Sequence, residues 1–164
     1  MPVQFLIFFF CIWFMIKNSF IFLEKIGERK EKQLWDKGVL CWDDFLNTPD
    51  IEGVSAKAKR YYDMQIRKAS EAIKKGDTGF FTGKLGLRNN WRLYSLFREE
   101  AVFLDIESSG VTEKDDIIVI GLYDGERDKI MIKGVNMNLE YLKRELSRYK
   151  LIITYNGASF DVPF

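Results

Sequence analysis

Apolar residues run almost unbroken from Val3 to Ile16 (VQFLIFFFCIWFMI), give way at Lys17, Asn18 and Ser19, and resume from Phe20 to Leu23. A membrane-spanning helix needs about 20 apolar residues. The unbroken run is shorter, and bridging the polar gap puts Lys17 inside the span. Met1 to Gln4 hold no Lys or Arg, and no small-x-small cleavage site follows, so the run does not read as a secretory leader. Residues 1–17 are therefore set apart as an apolar segment. It is either an anchor using residues 3–23 or an extension upstream of a natural start at Met15. The plainer alternative is a buried hydrophobic segment.

From residue 18 to 98 the pattern is helical. Glu28 to Lys37 holds strong helix formers and ends at Gly38, a natural C-cap. Cys41 to Leu46 predicts a second short helix. Ile26-Gly27, Leu34, Gly38-Val39 and Phe45-Leu46 are spaced as in a helix-hairpin-helix element, whose Gly turn offers backbone N–H groups to a phosphate. A plain helical hairpin fits the same spacing. Ser55 is an N-cap for a long helix reaching about Lys75 and stopped by Gly76. That helix carries Lys57, Lys59, Arg60, Arg67, Lys68, Lys74 and Lys75 among Tyr61 and Tyr62, a face suited to phosphates or simply to solvent. Phe80, Phe81 and Leu85, then Trp91, Leu93, Tyr94, Leu96 and Phe97, predict two short helices with their aromatic residues packed inward, punctuated by Gly83 and Gly86.

The period changes near residue 101. Ala101 to Leu104 predicts a strand ending in Asp105, Ile117 to Tyr123 a second, and Lys129 to Lys133 a third, with Asp124-Gly125 as a turn. Asn138 to Tyr149 is an amphipathic helix with Leu139, Leu142 and Leu146 on one face. Leu151 to Tyr155 is a fourth strand. The first three strands form an antiparallel meander, and the helix is a crossover that lets the fourth lie parallel to the first. The fold class is α/β: a helical region followed, over residues 99–164, by a mixed sheet.

Composition narrows the chemistry. The 164 residues include 25 Lys+Arg against 24 Asp+Glu, a net charge of +1, so there is no global basic field. The absence of histidine excludes His general bases, Ser-His-Asp triads and His-ligated zinc. Two cysteines, Cys11 and Cys41, build neither a disulfide scaffold nor a four-sulfur zinc site. A metal centre here must use oxygen ligands, which suit Mg²⁺, Mn²⁺ or Ca²⁺. The cysteine usage and the lack of a cleavable leader favour a reducing cytoplasm.

Asp105 and Glu107 lie two apart at the end of the first strand, so both point to one face. Asp161 follows the fourth strand. If strands one and four are neighbours, three carboxylates converge, and a divalent cation relieves their repulsion. This is the layout for two-metal phosphodiester hydrolysis, with two ions about 4 Å apart activating water and stabilising the leaving oxygen. The competing reading of an isolated D-x-E is a polar strand end.

The segment AVFLDIESSG at 101–110 resembles the first exonuclease motif of the DEDD superfamily, usually DIETTG. ITYNGASFDVPF at 153–164 resembles its second, NGxxFDxPF. Within that superfamily the likeness is to the YprB-type ribonuclease H-like exonuclease domain, which often carries upstream helical sequences like IGERKEKQLWDKGVLCWDDFL and NNWRLYSLFREEAVFLDIE. The resemblance implies a ribonuclease H-like fold and metal-dependent 3′–5′ exonuclease hydrolysis of DNA or RNA, single-stranded for preference, with no small-molecule cofactor. It implies that Asp105 bridges two Mg²⁺ or Mn²⁺ ions, that Glu107 binds one and positions water, and that Asp161 holds the other. Ser108, Asn156 and Phe160 would lie beside the substrate strand, Phe160 fitting a core position equally well. Ser108-Ser109 replaces the usual Thr-Thr and keeps the hydroxyls, while Gly110 lets the backbone turn. The third motif, with the fourth carboxylate ligand, does not occur before Phe164, so the expectation is a truncated and impaired nuclease. The alternatives are an inactive nuclease fragment and a non-catalytic nucleic-acid-binding module.

Overall fold

The computed structural model describes residues 15–110 and 116–155, which form two compact units meeting in sequence between Ser95 and Leu96. The first is helical. Helix α1 spans Glu28–Asp36, α2 Trp42–Asn47 and α3 Ala56–Lys74. Short 3₁₀ segments follow at Thr78–Phe81 and Leu87–Leu93, and a one-turn helix α4 covers Tyr94–Phe97. The punctuation is as the sequence predicts. The Ser55 hydroxyl accepts the Ala58 N–H at the start of α3, and Gly38 and Gly76 take φ values of +82° and +66° after α1 and α3.

Ile16, Phe20, Phe22 and Leu23 are buried in this unit with Trp42, Phe45, Ile66 and Phe81. The polar gap between the two apolar runs is what fits them there. Trp35 Nε1 donates to Asn18 O at 2.9 Å, Trp42 Nε1 donates to Ser19 O at 2.7 Å, and Ser19 Oγ donates to the Glu31 carboxylate at 2.8 Å. Ile16, Ser19, Phe20, Phe22 and Leu23 are therefore core, which argues against the alternative of an anchor drawn from the whole of 3–23. Residues 1–14 lie outside the described residues. Among the described residues no helix is long and apolar enough to cross a membrane.

Two more expectations change in this unit. Trp91 and Tyr94 are exposed rather than packed inward; Arg92 and Leu93 take the buried positions of that segment. The inward pull on Arg92 is the buried Glu31 carboxylate, 3.0 Å from Arg92 Nη2. The α1–α2 turn is a helical hairpin, but its N–H groups are already used. Gly38 N and Val39 N donate to Trp35 O and Leu34 O, and Leu40 N and Cys41 N donate to the Asp44 carboxylate at 3.0 Å each. Those groups are not available to a phosphate.

The second unit is a four-stranded sheet, β1 (Ala101–Ser108), β2 (Ile117–Tyr123), β3 (Asp128–Ile132) and β4 (Leu151–Ile153), with helix α5 (Leu139–Leu146) between β3 and β4. The strand order is β3-β2-β1-β4, antiparallel between β1, β2 and β3 and parallel between β1 and β4. The predicted α/β topology and mixed sheet are thus present. Val102, Leu104 and Ile106 of β1, Ile120 and Leu122 of β2, and Met131 of β3 form the core, with Met137, Leu142, Leu146 and Tyr149 packed against it. Burial of each such aliphatic side chain contributes about 1.5–3 kcal/mol. Leu139 stays exposed, and Met137, just before the helix, is the first residue to pack.

Candidate active site

The first strand runs further than its apolar residues suggest. Pairing with β2 continues through Asp105↔Gly121, Ile106↔Ile120 and Glu107↔Val119, and a bulge shifts the register between Glu107 and Ser108. Asp105 and Glu107 therefore stand within the strand rather than at its end. Alternation sorts β1 cleanly: Val102, Leu104 and Ile106 face the core, while Phe103, Asp105 and Glu107 are exposed on the other face. Two carboxylates and an aromatic ring thus share one face of a central strand. Bulges are frequent beside active sites, where they re-aim a side chain.

Gly121 lies directly across from Asp105, with Ile130 beyond it on β3. A Cβ at Gly121 would meet only the Asp105 carbonyl, at 3.9 Å. Gly121 lies in the floor of an open cavity of about 550 Å³ beside Asp105, lined also by Phe103, Tyr123, Ile130, Ile153 and Tyr155. The Phe103 and Tyr123 rings lie 6.2 Å apart, tilted by 34°. This apolar wall was not foreseen. A glycine inside a strand of β-branched residues is the signal that could have found it.

The fit to a hard divalent cation rests on donor chemistry. Asp105 and Glu107 are oxygen ligands on one face, exposed, and neither is paired with a cation among the described residues. Asp128 of β3 lines the same cavity as Asp105, while three further carboxylates of this unit are committed elsewhere. Asp116 pairs with Lys133 Nζ at 2.6 Å, and its N–H donates to Ser109 Oγ at 3.0 Å, closing the β1–β2 connection. Asp124 shapes the β2–β3 turn. Backbone N–H groups of Arg127 and Glu126, then the Tyr149 hydroxyl, hold its carboxyl below the usual range. Glu145 pairs with Lys129 and Arg148, and the Lys129 ammonium pulls its pKa down. The Ser108 hydroxyl donates to Gly110 O, so it is engaged within its own loop.

Asp161, Asn156 and Phe160 lie outside the described residues, as does Asp115. Parallel pairing of Ala101, Val102 and Phe103 with Leu151, Ile152 and Ile153 puts β4 beside β1, so the segment leading to residue 156 leaves the sheet next to the strand bearing Asp105. Among the described residues no group of three or more potential ligands comes together.

The family model RNase_H_2, described as RNase_H superfamily, matches residues 102–164. The match begins at the second residue of β1 and runs through the rest of the sheet, so this segment is similar to the ribonuclease H superfamily, a likeness that points to nuclease-type hydrolysis of nucleic acid. No curated protein and no solved structure matches the chain.

Proposed function

We propose that the protein is a divalent-metal-dependent nuclease that cleaves phosphodiester bonds of single-stranded nucleic acid in the 3′–5′ exonuclease manner of the YprB-type DEDD domains. The observation that carries this reading is the Asp105/Glu107 pair, exposed on one face of the central strand and without a cationic partner among the described residues, in a segment that matches the RNase_H superfamily. Asp105, Glu107 and Asp161 would hold Mg²⁺ or Mn²⁺. When bound, the ions would supply an activated water and neutralise charge on the leaving oxygen. The protein's own share is to hold two carboxylates at fixed spacing on a rigid strand, and to offer the Phe103 and Tyr123 rings as an apolar wall for a nucleobase or sugar. Ser108, Asn156 and Phe160 would line the path of the strand.

The test is cleavage of 3′- and 5′-labelled single-stranded DNA and RNA with Mg²⁺ or Mn²⁺, by the wild type and by Asp105→Ala. The expected result is metal-dependent shortening from the 3′ end, lost in the variant. Equal activity in both proteins would remove Asp105 from the site.

A further inference from the structure

The long helix α3 and the turn after it line an open groove of about 780 Å³ in which cations outnumber anions once the internal ion pairs are assigned. Its lining includes Arg60, Arg67, Lys68 and Lys75, with three carboxylates among them. Two of those carboxylates are neutralised by neighbouring lysines, and Asp77 keeps its charge. Asp63 is gripped by Lys59 Nζ at 2.6 Å, and Glu71 by Lys74 Nζ at 2.8 Å. Asp77 accepts the Phe80 N–H as the cap of the following 3₁₀ turn. The four cations make no ion pair among the described residues. Positions 60, 67, 68 and 75 fall within about 100° of one another around the helix and span about 22 Å along it. Phe80 lines the groove as well, and Lys84 Nζ stands over its ring at 3.3 Å. Burial, and after it the nearby Lys68 charge, holds the Lys84 ammonium below the usual lysine range.

A linear cationic array with an aromatic edge, in a chain of net charge +1, is a local device and not a by-product of overall basicity. We infer that this groove is a binding site for the sugar-phosphate backbone of single-stranded nucleic acid, with Arg60, Arg67, Lys68 and Lys75 contacting successive phosphates. The identity of the ligand rests on the nuclease reading of the second unit; the groove itself does not. A row of cations beside an aromatic ring suits a flexible strand, which offers both phosphates and bases, better than the surface of an anionic membrane.

The test is fluorescence anisotropy with a labelled oligothymidylate and the full chain in EDTA, so that no cleavage is needed. For the wild type, log affinity is expected to fall steeply with log salt. In Arg60→Ala/Arg67→Ala/Lys68→Ala/Lys75→Ala the slope is expected to be shallower by about 3, since each single-strand phosphate contact contributes about 0.7. Affinity at about 50 mM salt should drop at least tenfold. The control Arg29→Ala/Lys30→Ala removes two exposed cations of α1, outside the groove, and should bind as the wild type does. Circular dichroism establishes that the quadruple variant stays helical; if it does not, Arg67→Ala alone is expected to lower the slope by about 0.7. An unchanged slope in the folded variant would overturn the inference, as would binding to phosphatidylserine vesicles without binding to oligonucleotide. Loss of binding in the variant with no cleavage by the wild type would keep the groove and sink the nuclease.

Discussion

Asp105 and Glu107 owe their availability to alternation: the same β1 register that buries Val102, Leu104 and Ile106 turns both carboxylates out. Since neither side chain packs in the core, Asp105→Asn and Glu107→Gln should each reduce cleavage by at least about 100-fold while leaving the thermal midpoint unchanged, as surface changes usually stay within about 0.5 kcal/mol. A large fall in the midpoint would instead mark them as structural. Gly121 makes the complementary case. The nearest atom to an added Cβ is at ordinary van der Waals distance, so Gly121→Val should fold, and valine suits a strand. Its methyl groups would nevertheless fill the space beside Asp105. Activity is expected to fall at least tenfold with stability held or raised, and the comparison of melting curves with initial rates checks both. Asp124 belongs to stability alone. Its depressed pKa means that the folded state favours the carboxylate, so its contribution is full above the ordinary Asp value of 3.8 and is lost as pH falls through its lower folded value. Asp124→Asn should therefore flatten the acid limb of stability measured between neutral and strongly acid pH.

At the scale of elements, what the sequence announced were those features whose signal is local. Ser55 capping α3, Gly38 and Gly76 closing helices, and the Asp124-Gly125 turn all follow from single-residue preferences, and each is present. The sheet topology was legible too, because two apolar strands flanking an amphipathic helix leave few arrangements. Features that depend on distant partners were not legible. Arg92 lies inward because Glu31, 61 positions earlier, is buried opposite it. The alternation Lys-Ile-Met-Ile-Lys at 129–133 did not reveal that Met131 faces the helix while Ile130 and Ile132 face out. Lys129 can take the covered face because Glu145 of α5 neutralises it. In the candidate site, the D-x-E pair was readable from spacing, whereas the Phe103–Gly121–Tyr123 surroundings required the register. The cap offers a plain check of the local logic. Ser55→Ala removes the acceptor for the Ala58 N–H and should cost about 1 kcal/mol in urea denaturation.

For the molecule as a whole, the decisive feature is that the two units have separate cores. The first is organised around Glu31, whose carboxylate receives Ser19 Oγ, the Phe20 N–H at 2.7 Å and the Arg92 guanidinium. It ties the apolar segment at 16–23 to α1 and to the 3₁₀ segment carrying Arg92. The second is organised around the aliphatic face of β1, β2 and β3 under α5, with the Glu145 carboxylate joining α5 to Lys129 of β3 at its margin. Removing one partner of a buried, hydrogen-bonded ion pair leaves the other charge uncompensated, at about 3–5 kcal/mol. Glu31→Ala is therefore expected to destabilise the helical unit by that amount while the sheet keeps its own stability. Hydrogen exchange read by mass spectrometry should show faster exchange over peptides from residues 16–95 and unchanged protection in β1 and β2. Uniform acceleration across both units would mean that they unfold as one cooperative body. The same variant then separates the two proposed activities physically. Salt-dependent binding through the α3 groove should weaken as its supporting core loosens, whereas the spacing of Asp105 and Glu107, fixed by β1 alone, should survive.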